Sequence, residues 1–488
     1  MRNKLLLSAS LIALTACNLA PDFALPEIST PAKFKEEAKP NPEVQGTWKK
    51  AAPADNIDKG QWWKVFGDEE LNKLQEQMLT SNPDLEAAEA RMKQFAAQAD
   101  FATGELFPTI FATAGANRQH PSQNTVAGGF GPSVYSTYNL GVAASYELDL
   151  FGSVRNNVYA TEKDFESSEA AYKNIMLLLQ ADLAQVYFSL KATDEELKLV
   201  RNSLKYREEQ NDIIRKREEL GAASGLDLKQ SDAQIANIRL EALELDKQRA
   251  RQEHALAILV GKAPAEFEVA KTDYEFKQVQ IPANLPSEVL QRRPDVAGAV
   301  RALEAENARI GVANASFFPD ITLTGSFGYA SNKIGDLLKW SSHTWLLGPA
   351  SGVLIDAVLF EGGRYRARVE GAEAAYKEVS ANYKKTVLNA FKEVEDNLSD
   401  IKYLDEQLQQ AELSYRASAE VESMTKLKYD EGATSYFELK DAELAAITSG
   451  QQQIRTQLQA TLATVNLIKS LGGGWKSDIE QPVSKPAE

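Results

Sequence analysis

A chain of 488 residues with one cysteine, Cys17, cannot form an internal disulfide, so its stability has to come from packing and assembly. Histidine is nearly as scarce. His120, His254 and His343 are scattered without the local spacing that gathers metal ligands, and each reads as a surface group, His254 on a helix and the other two near loops. No phosphate loop, metal motif or nucleophile elbow is present, and the Gly472-Gly473-Gly474 run lacks the lysine and hydroxyl of a nucleotide loop. An enzyme reading has no residues behind it, and no metal or diffusible cofactor is expected. Basic charge is also short: 54 Lys and Arg against 69 Asp and Glu leave a formal net charge of -15, which opposes nucleic-acid binding. After residue 17 no apolar run approaches the roughly 20 residues of a transmembrane helix, so any membrane crossing has to be made by strands.

The start of the chain has its own pattern. Arg2 and Lys4 precede an apolar run from Leu5 to Leu14 and then small residues, which reads as a signal peptide over residues 1–16. Leu14-Thr15-Ala16-Cys17 resembles a bacterial lipobox, which implies cleavage before Cys17 and covalent lipid on it. Several acyl chains on one residue give stable attachment. Asn18 stands where Asp would resemble the usual inner-membrane retention signal, so outer-membrane lipid is the expected surface.

The rest is written twice. Residues 83–108 lie over residues 294–319 without a gap, at a separation of 211, with 7 of 26 positions identical, including Pro83-Asp84 with Pro294-Asp295 and Phe107-Pro108 with Phe318-Pro319. The same offset pairs Gly221, Ala222, Ser224, Leu228 and Lys229 with Gly432, Ala433, Ser435, Leu439 and Lys440, and later Leu256 and Gly261 with Leu467 and Gly472. Short gaps are expected only between these anchors, over about 120–205 and its counterpart.

Each half has the same order. A helical stretch (about 84–106, then 287–317) stops at Phe-Pro, because proline removes a donor and restricts the residue before it. Alternating segments follow, at about 109–119, 135–150, 321–331 and 344–357. In the clearest, Leu140, Val142, Ala144, Tyr146, Leu148 and Leu150 share one face, and Gly141, Ala143, Ser145, Glu147 and Asp149 the other. Such strands suit a membrane barrel with a wet lumen. Four cannot close one, since about eight is the minimum, so copies must share it. The residues alone permit two copies or three.

Nearly 70 residues without proline then run from about Ser153 to Leu220 and from about Arg364 to Glu431. Leu183, Val186, Leu190, Thr193, Leu197, Val200 and Leu204 step by three and four, as do Phe391, Val394, Leu398, Ile401 and Leu408 in the second half. Gly221 and Gly432 end these helices, and shorter helices return over 226–260 and 437–471.

Taken together, the lipobox, Gly60-Gln61-Trp62-Trp63-Lys64-Val65-Phe66-Gly67-Asp68, Asn82-Pro83-Asp84-Leu85, Arg292-Arg293-Pro294-Asp295-Val296, Phe318-Pro319 and the tips Gly221 to Asp232 and Gly432 to Glu443 resemble the outer-membrane factor family, specifically the lipoprotein branch serving resistance-nodulation-division efflux pumps. The resemblance spans residue 1 to about 475. It implies a membrane α/β-barrel fold: a homotrimer with four strands per chain in a shared twelve-stranded β-barrel, continued by a twelve-helix periplasmic α-barrel. The organisation expected is a signal peptide (1–16), a lipidated arm (17–66) anchored by Trp62 and Trp63, two repeats (67–275 and 276–474) and a flexible tail (475–488). The implied partners are a periplasmic adaptor (membrane fusion) protein and an inner-membrane proton-driven efflux transporter.

By the same resemblance, Gly221, Ser224, Leu226, Gly432 and Ser435 form helix-tip turns that meet the adaptor, and the second tip closes the mouth through Phe437 and Asp441. Leu444 occupies the family's nearby arginine position, so an ionic latch is not assumed there. Small-molecule export is the leading expectation. The alternatives are a duct for type I protein secretion and a non-conducting coiled-coil scaffold, which would leave the strands unexplained.

Overall fold

The helices carry the duplication to the residue. In the computed structural model α1 spans Glu69–Ser81, α2 Pro83–Gly104, α3 Ser153–Glu219, α4 Gly225–Leu259, α5 Pro294–Ala315, α6 Arg364–Asp430 and α7 Tyr436–Ser470. The long helices α3 and α6 each have 67 residues and the return helices α4 and α7 each have 35. Every pair starts and stops 211 positions apart, so the gaps expected over about 120–205 do not reach into α3; any length difference is confined to the strands and loops before it. Residues 18–28, 34–36, 61–120, 122, 134–222, 224–277, 279, 292–347, 353–356 and 358–473 are described. The leader, Cys17, most of the arm, residues 287–291 of the expected helix start and the tail from 475 lie outside them.

α1 was not expected from the sequence. Asp68 begins it by accepting from the Glu70 and Leu71 amides at 2.9 and 3.0 Å, and Leu71, Leu74 and Met78, stepping by three and four, bury one face. Trp62 and Trp63 are buried in a short 3-10 turn, and the Trp62 indole donates to Gln180 Oε1 at 3.0 Å.

Two compact units divide the chain, one of residues 1–27, 91–168 and 299–383 and one of 28–90, 169–298 and 384–488, with boundaries inside α2, α3, α5 and α6. Each unit therefore draws on both repeats. The second unit holds the main apolar core, where Trp62, Trp63, Phe66, Leu71 and Met78 pack with Leu183, Tyr187, Phe188, Leu190, Leu256, Val465 and Ile468. The stripe that begins at Leu183 is thus buried at Leu190, Leu197 and Val200 as its spacing requires, and Val394 and Leu408 repeat it.

The first unit holds the sheet. β1 (Thr109–Gln119), β2 (Tyr135–Glu147) and β3 (Asp320–Ser331) are antiparallel neighbours, and the fourth strand is delivered in two pieces, β4 (His343–Leu347) and β5 (Val353–Asp356), both paired with β3. Residues 348–352 between them lie outside the described residues. β2 stops at Glu147 rather than at 150, because the Asp149 carboxylate is used to cap α3, accepting from the Val154 and Arg155 amides at 3.2 and 2.9 Å. Register places Ala112, Val142, Phe327 and Trp345 in one cross-strand row, and Ala114, Leu140 and Tyr329 in another on the same face. Small and polar residues fill most of the opposite face, where Gly141 faces Gly328; a Cβ on Gly328 would stand 2.4 Å from the Leu140 carbonyl oxygen. Among the described residues β1 pairs only with β2, and β4 and β5 only with β3, so both sheet edges are open. No described helix is long and apolar enough to cross a membrane.

Candidate functional site: the paired helix tips

Each long helix ends in the same turn. Gly221 takes φ +72 and Gly432 φ +74, values that glycine adopts without a Cβ penalty. The Ala222 amide donates to Arg217 O at 2.7 Å and the Gly221 amide to Glu218 O at 2.9 Å; Ala433 to Lys428 O at 2.8 Å and Gly432 to Tyr429 O at 3.0 Å repeat the pattern. Three residues after each glycine a serine starts the return helix with a capping box, Ser224 with Asp227 and Ser435 with Glu438. The Ser224 hydroxyl accepts from the Leu226 amide at 3.1 Å and the Ser435 hydroxyl from the Glu438 amide at 3.3 Å. Turn and cap together reverse the chain in a few residues and leave Leu226 pointing outward at 65% exposure.

The second tip sorts its residues by face. Phe437, Asp441 and Leu444 step by four and three along α7 and are all exposed, Phe437 at 59% with the Lys440 ammonium 5.2 Å from its ring. Leu439, Ala442, Glu443 and Ala446 bury the other face. Phe437 and Asp441, four apart, lie on one exposed face of α7, and Leu444, at the family's arginine position, is exposed beside them. In the first tip the corresponding positions are Leu226, Gln230 and Ala233.

Behind that face lies a group the sequence did not reveal. Glu443 of α7 pairs with Arg207 of α3 at 3.0 Å, both side chains 5% exposed, and Arg207 also donates to Gln234 of α4. Burial pushes the Glu443 carboxyl up to about 7; Arg207 and Lys426 oppose this and the nearby Glu422 adds to it. The Lys426 ammonium sits 4.2 Å from the ring centre of Tyr206, whose buried hydroxyl has no partner. The pair joins the first repeat to the second across 236 positions of sequence, with no local motif to announce it.

No group of histidine, cysteine and carboxylate suited to a metal occurs among the described residues. His254 is exposed on α4, while His343 is exposed at the start of β4, stacked on Trp340 at 4.7 Å.

The outer membrane efflux protein model matches residues 74–262 and again residues 285–473, two equal stretches whose starts are 211 apart. The chain belongs to the outer membrane efflux protein family. Members are channel components of efflux systems rather than enzymes, and this chain is an outer-membrane component of that kind. The probable efflux pump outer membrane protein TtgC of Pseudomonas putida is 32% identical over 476 residues, covering 97% of this chain and 96% of its own length. CusC of Escherichia coli, named a cation efflux system protein, is 30% identical over 477 residues, covering 97% and 99%. The solved outer-membrane channel OprN matches with a TM-score of 0.84 at 28% identity, covering 94% of this chain and 100% of its own.

Proposed function

We propose that three copies of this chain pool their sheets into one twelve-stranded transmembrane barrel, continued by a twelve-helix periplasmic tunnel, and that the assembly passively conducts small molecules to the exterior. The observation that carries this is the sheet itself: strands of barrel length, one apolar face, and two open edges that lipid would leave unpaired at several kcal/mol per backbone group. A coiled-coil scaffold has no use for them. Energy enters from an inner-membrane proton-driven transporter, and a periplasmic adaptor joins it to the exposed tips at Gly221, Ser224, Leu226, Gly432 and Ser435. Phe437 and Asp441, brought around a threefold axis, constrict the mouth: an apolar ring resists wetting and a carboxylate ring favours cations. Lipid on Cys17 adds a covalent hold on the outer membrane.

Purified trimer reconstituted into planar bilayers is expected to give discrete single-channel currents. Correctly assembled trimer that passes no current overturns the duct. Mass spectrometry of the native amino terminus is expected to find acyl chains on residue 17, and an unmodified residue 17 or cleavage elsewhere removes the lipoprotein assignment.

A further inference from the structure

Helix α5 carries side chains that its duplicate lacks. Asn307 Nδ2 donates to the Pro21 carbonyl oxygen at 2.7 Å, and Asn314 Nδ2 to that of Leu19 at 3.0 Å. From α3, Asn156 Nδ2 donates to Asn18 Oδ1 at 2.9 Å, and the same oxygen accepts from the Ala20 amide at 3.1 Å. Between the two α5 asparagines lies Gly311. A Cβ there would stand 2.6 Å from Asn156 Nδ2 and 2.8 Å from the Ala20 Cβ, so the arm approaches a place that only glycine leaves open. Positions 307, 311 and 314, spaced by four and three, share one helical face. One repeat earlier, α2 has Ala96, Asp100 and Thr103 at these positions, and α6 has Ala367 where α3 has Asn156. Amides and gap are absent together from the duplicate, so the set is not inherited helix packing.

We propose that Asn156, Asn307, Gly311 and Asn314 form a dock for the segment directly after Cys17, Asn307 and Asn314 holding its backbone and Asn156 the Asn18 side chain, and that the dock fixes where the lipid-bearing residue leaves the protein. The two α5 amides read carbonyl oxygens two residues apart, as an extended backbone presents them on one side. Recognition is therefore of chain path rather than of side chains at 19 and 21. Asn18 is one Cα step, about 3.8 Å, from residue 17, so a docked Asn18 limits the point from which any acyl group on that residue can extend. α5 ends at Ala315 and β3 starts at Asp320, which puts Asn314 in the last helical turn before the sheet. A loose tether holds a protein at a membrane; a docked one also sets its depth. The lipid part of this proposal rests on the lipoprotein reading, and the dock does not.

The test uses full-length protein purified from membranes in mild detergent: wild type, Gly311→Ala, and Asn307→Ala with Asn314→Ala. Thermolysin cleavage within residues 18–28 reads docking, cleavage within 294–315 reads the integrity of α5, and the mass of the amino-terminal peptide reads acylation. Gly311→Ala is the sharper variant, because alanine favours a helix over glycine and arm release cannot then be ascribed to a weakened α5. Losing two neutral hydrogen bonds corresponds to roughly tenfold or more in the open-to-docked ratio, and cleavage follows that ratio when reclosing is fast. At least tenfold faster cleavage of 18–28 in both variants, with α5 intact, is the expected result. An arm cut equally slowly in all three forms, or equally fast in all three, overturns the dock. A protected arm on an unacylated residue 17 removes the lipid role and leaves the dock.

Discussion

Asn82 and Arg293 stand 211 positions apart and perform one task with different chemistry: each donates to the carbonyl of the last residue of its own repeat's return helix, Asn82 to Leu259 at 2.8 Å and Arg293 to Ser470 at 2.9 Å. The glycine that follows fits tightly in each repeat. A Cβ on Gly261 would lie 2.0 Å from the Ser81 carbonyl oxygen, and one on Gly472 would lie 3.0 Å from the Arg292 carbonyl carbon.

The two residues differ in what they leave behind when removed. Asn82→Ala loses the Leu259 bond and the cap on the Leu85 amide, a cost of about 1–3 kcal/mol. Arg293 is mostly buried and also holds Asp295 and Glu393, each at 2.7 Å, so Arg293→Ala removes three contacts at once and is expected to cost more than Asn82→Ala. Thermal unfolding of the detergent-solubilised protein ranks the two, and an equal or reversed order overturns the assignment.

Glycines at φ near +70 are not equally replaceable. Gly221 has nothing within 4 Å of an added Cβ, so Gly221→Ala pays only the left-handed strain, about 1–2 kcal/mol. Gly261→Ala adds the collision with Ser81 and is expected to lower the melting temperature clearly further. Matching shifts for the two variants would show that α1 and α4 can part there at little cost.

The constriction reading assigns separate jobs to two residues on one face of α7. Phe437→Ala is expected to raise the conductance of isolated trimer several-fold, and Asp441→Asn to reduce its preference for cations, most visibly at low salt where screening is weak. Both variants keeping wild-type conductance and selectivity, with assembly confirmed, moves the gate elsewhere.

Glu443 supplies a pH signature. Its folded carboxyl titrates near 7 against an ordinary 4.5, so the folded chain holds the proton more tightly than the unfolded one. Its contribution is therefore greatest below pH 4.5 and is lost as pH rises toward 7, a difference of about 3 kcal/mol. Urea midpoints measured between pH 4 and 8 should show this fall, and Glu443→Gln should flatten it. A slope unchanged by that substitution rules Glu443 out as its source. Arg207→Ala, which removes a cation that holds the Glu443 carboxyl down, is expected to push its titration further up and to extend the fall to higher pH.

What the sequence made legible was whatever repeats or alternates. The stripe from Leu183, the pleat of β2 and the reversals at Gly221 and Gly432 each follow from local spacing. α1 is harder to read: over 13 residues it offers only Leu71, Leu74 and Met78 as buried apolar positions, directly after the aromatic turn at Trp62 and Trp63. The alternation of β2 runs on to Leu150, but the strand stops at Glu147 because Asp149 serves α3 instead of the sheet. Arg207 with Glu443, and Asn307 with Asn314, could not be read at all: their partners are a residue 236 positions away in one case and bare backbone carbonyls in the other.

The equal 67-residue spans of α3 and α6 restrict how such a chain can change. Deleting one residue from either would turn everything beyond it by about 100° and draw it back by about 1.5 Å, taking Leu190 and Leu197, or Val394 and Leu408, out of the core they fill. Substitution is far less costly, as Asn82 and Arg293 demonstrate. Descendants of the duplication can therefore drift apart in composition while remaining locked in length, and any lengthening of the pair has to occur in both helices together, by whole multiples of the stripe's repeat.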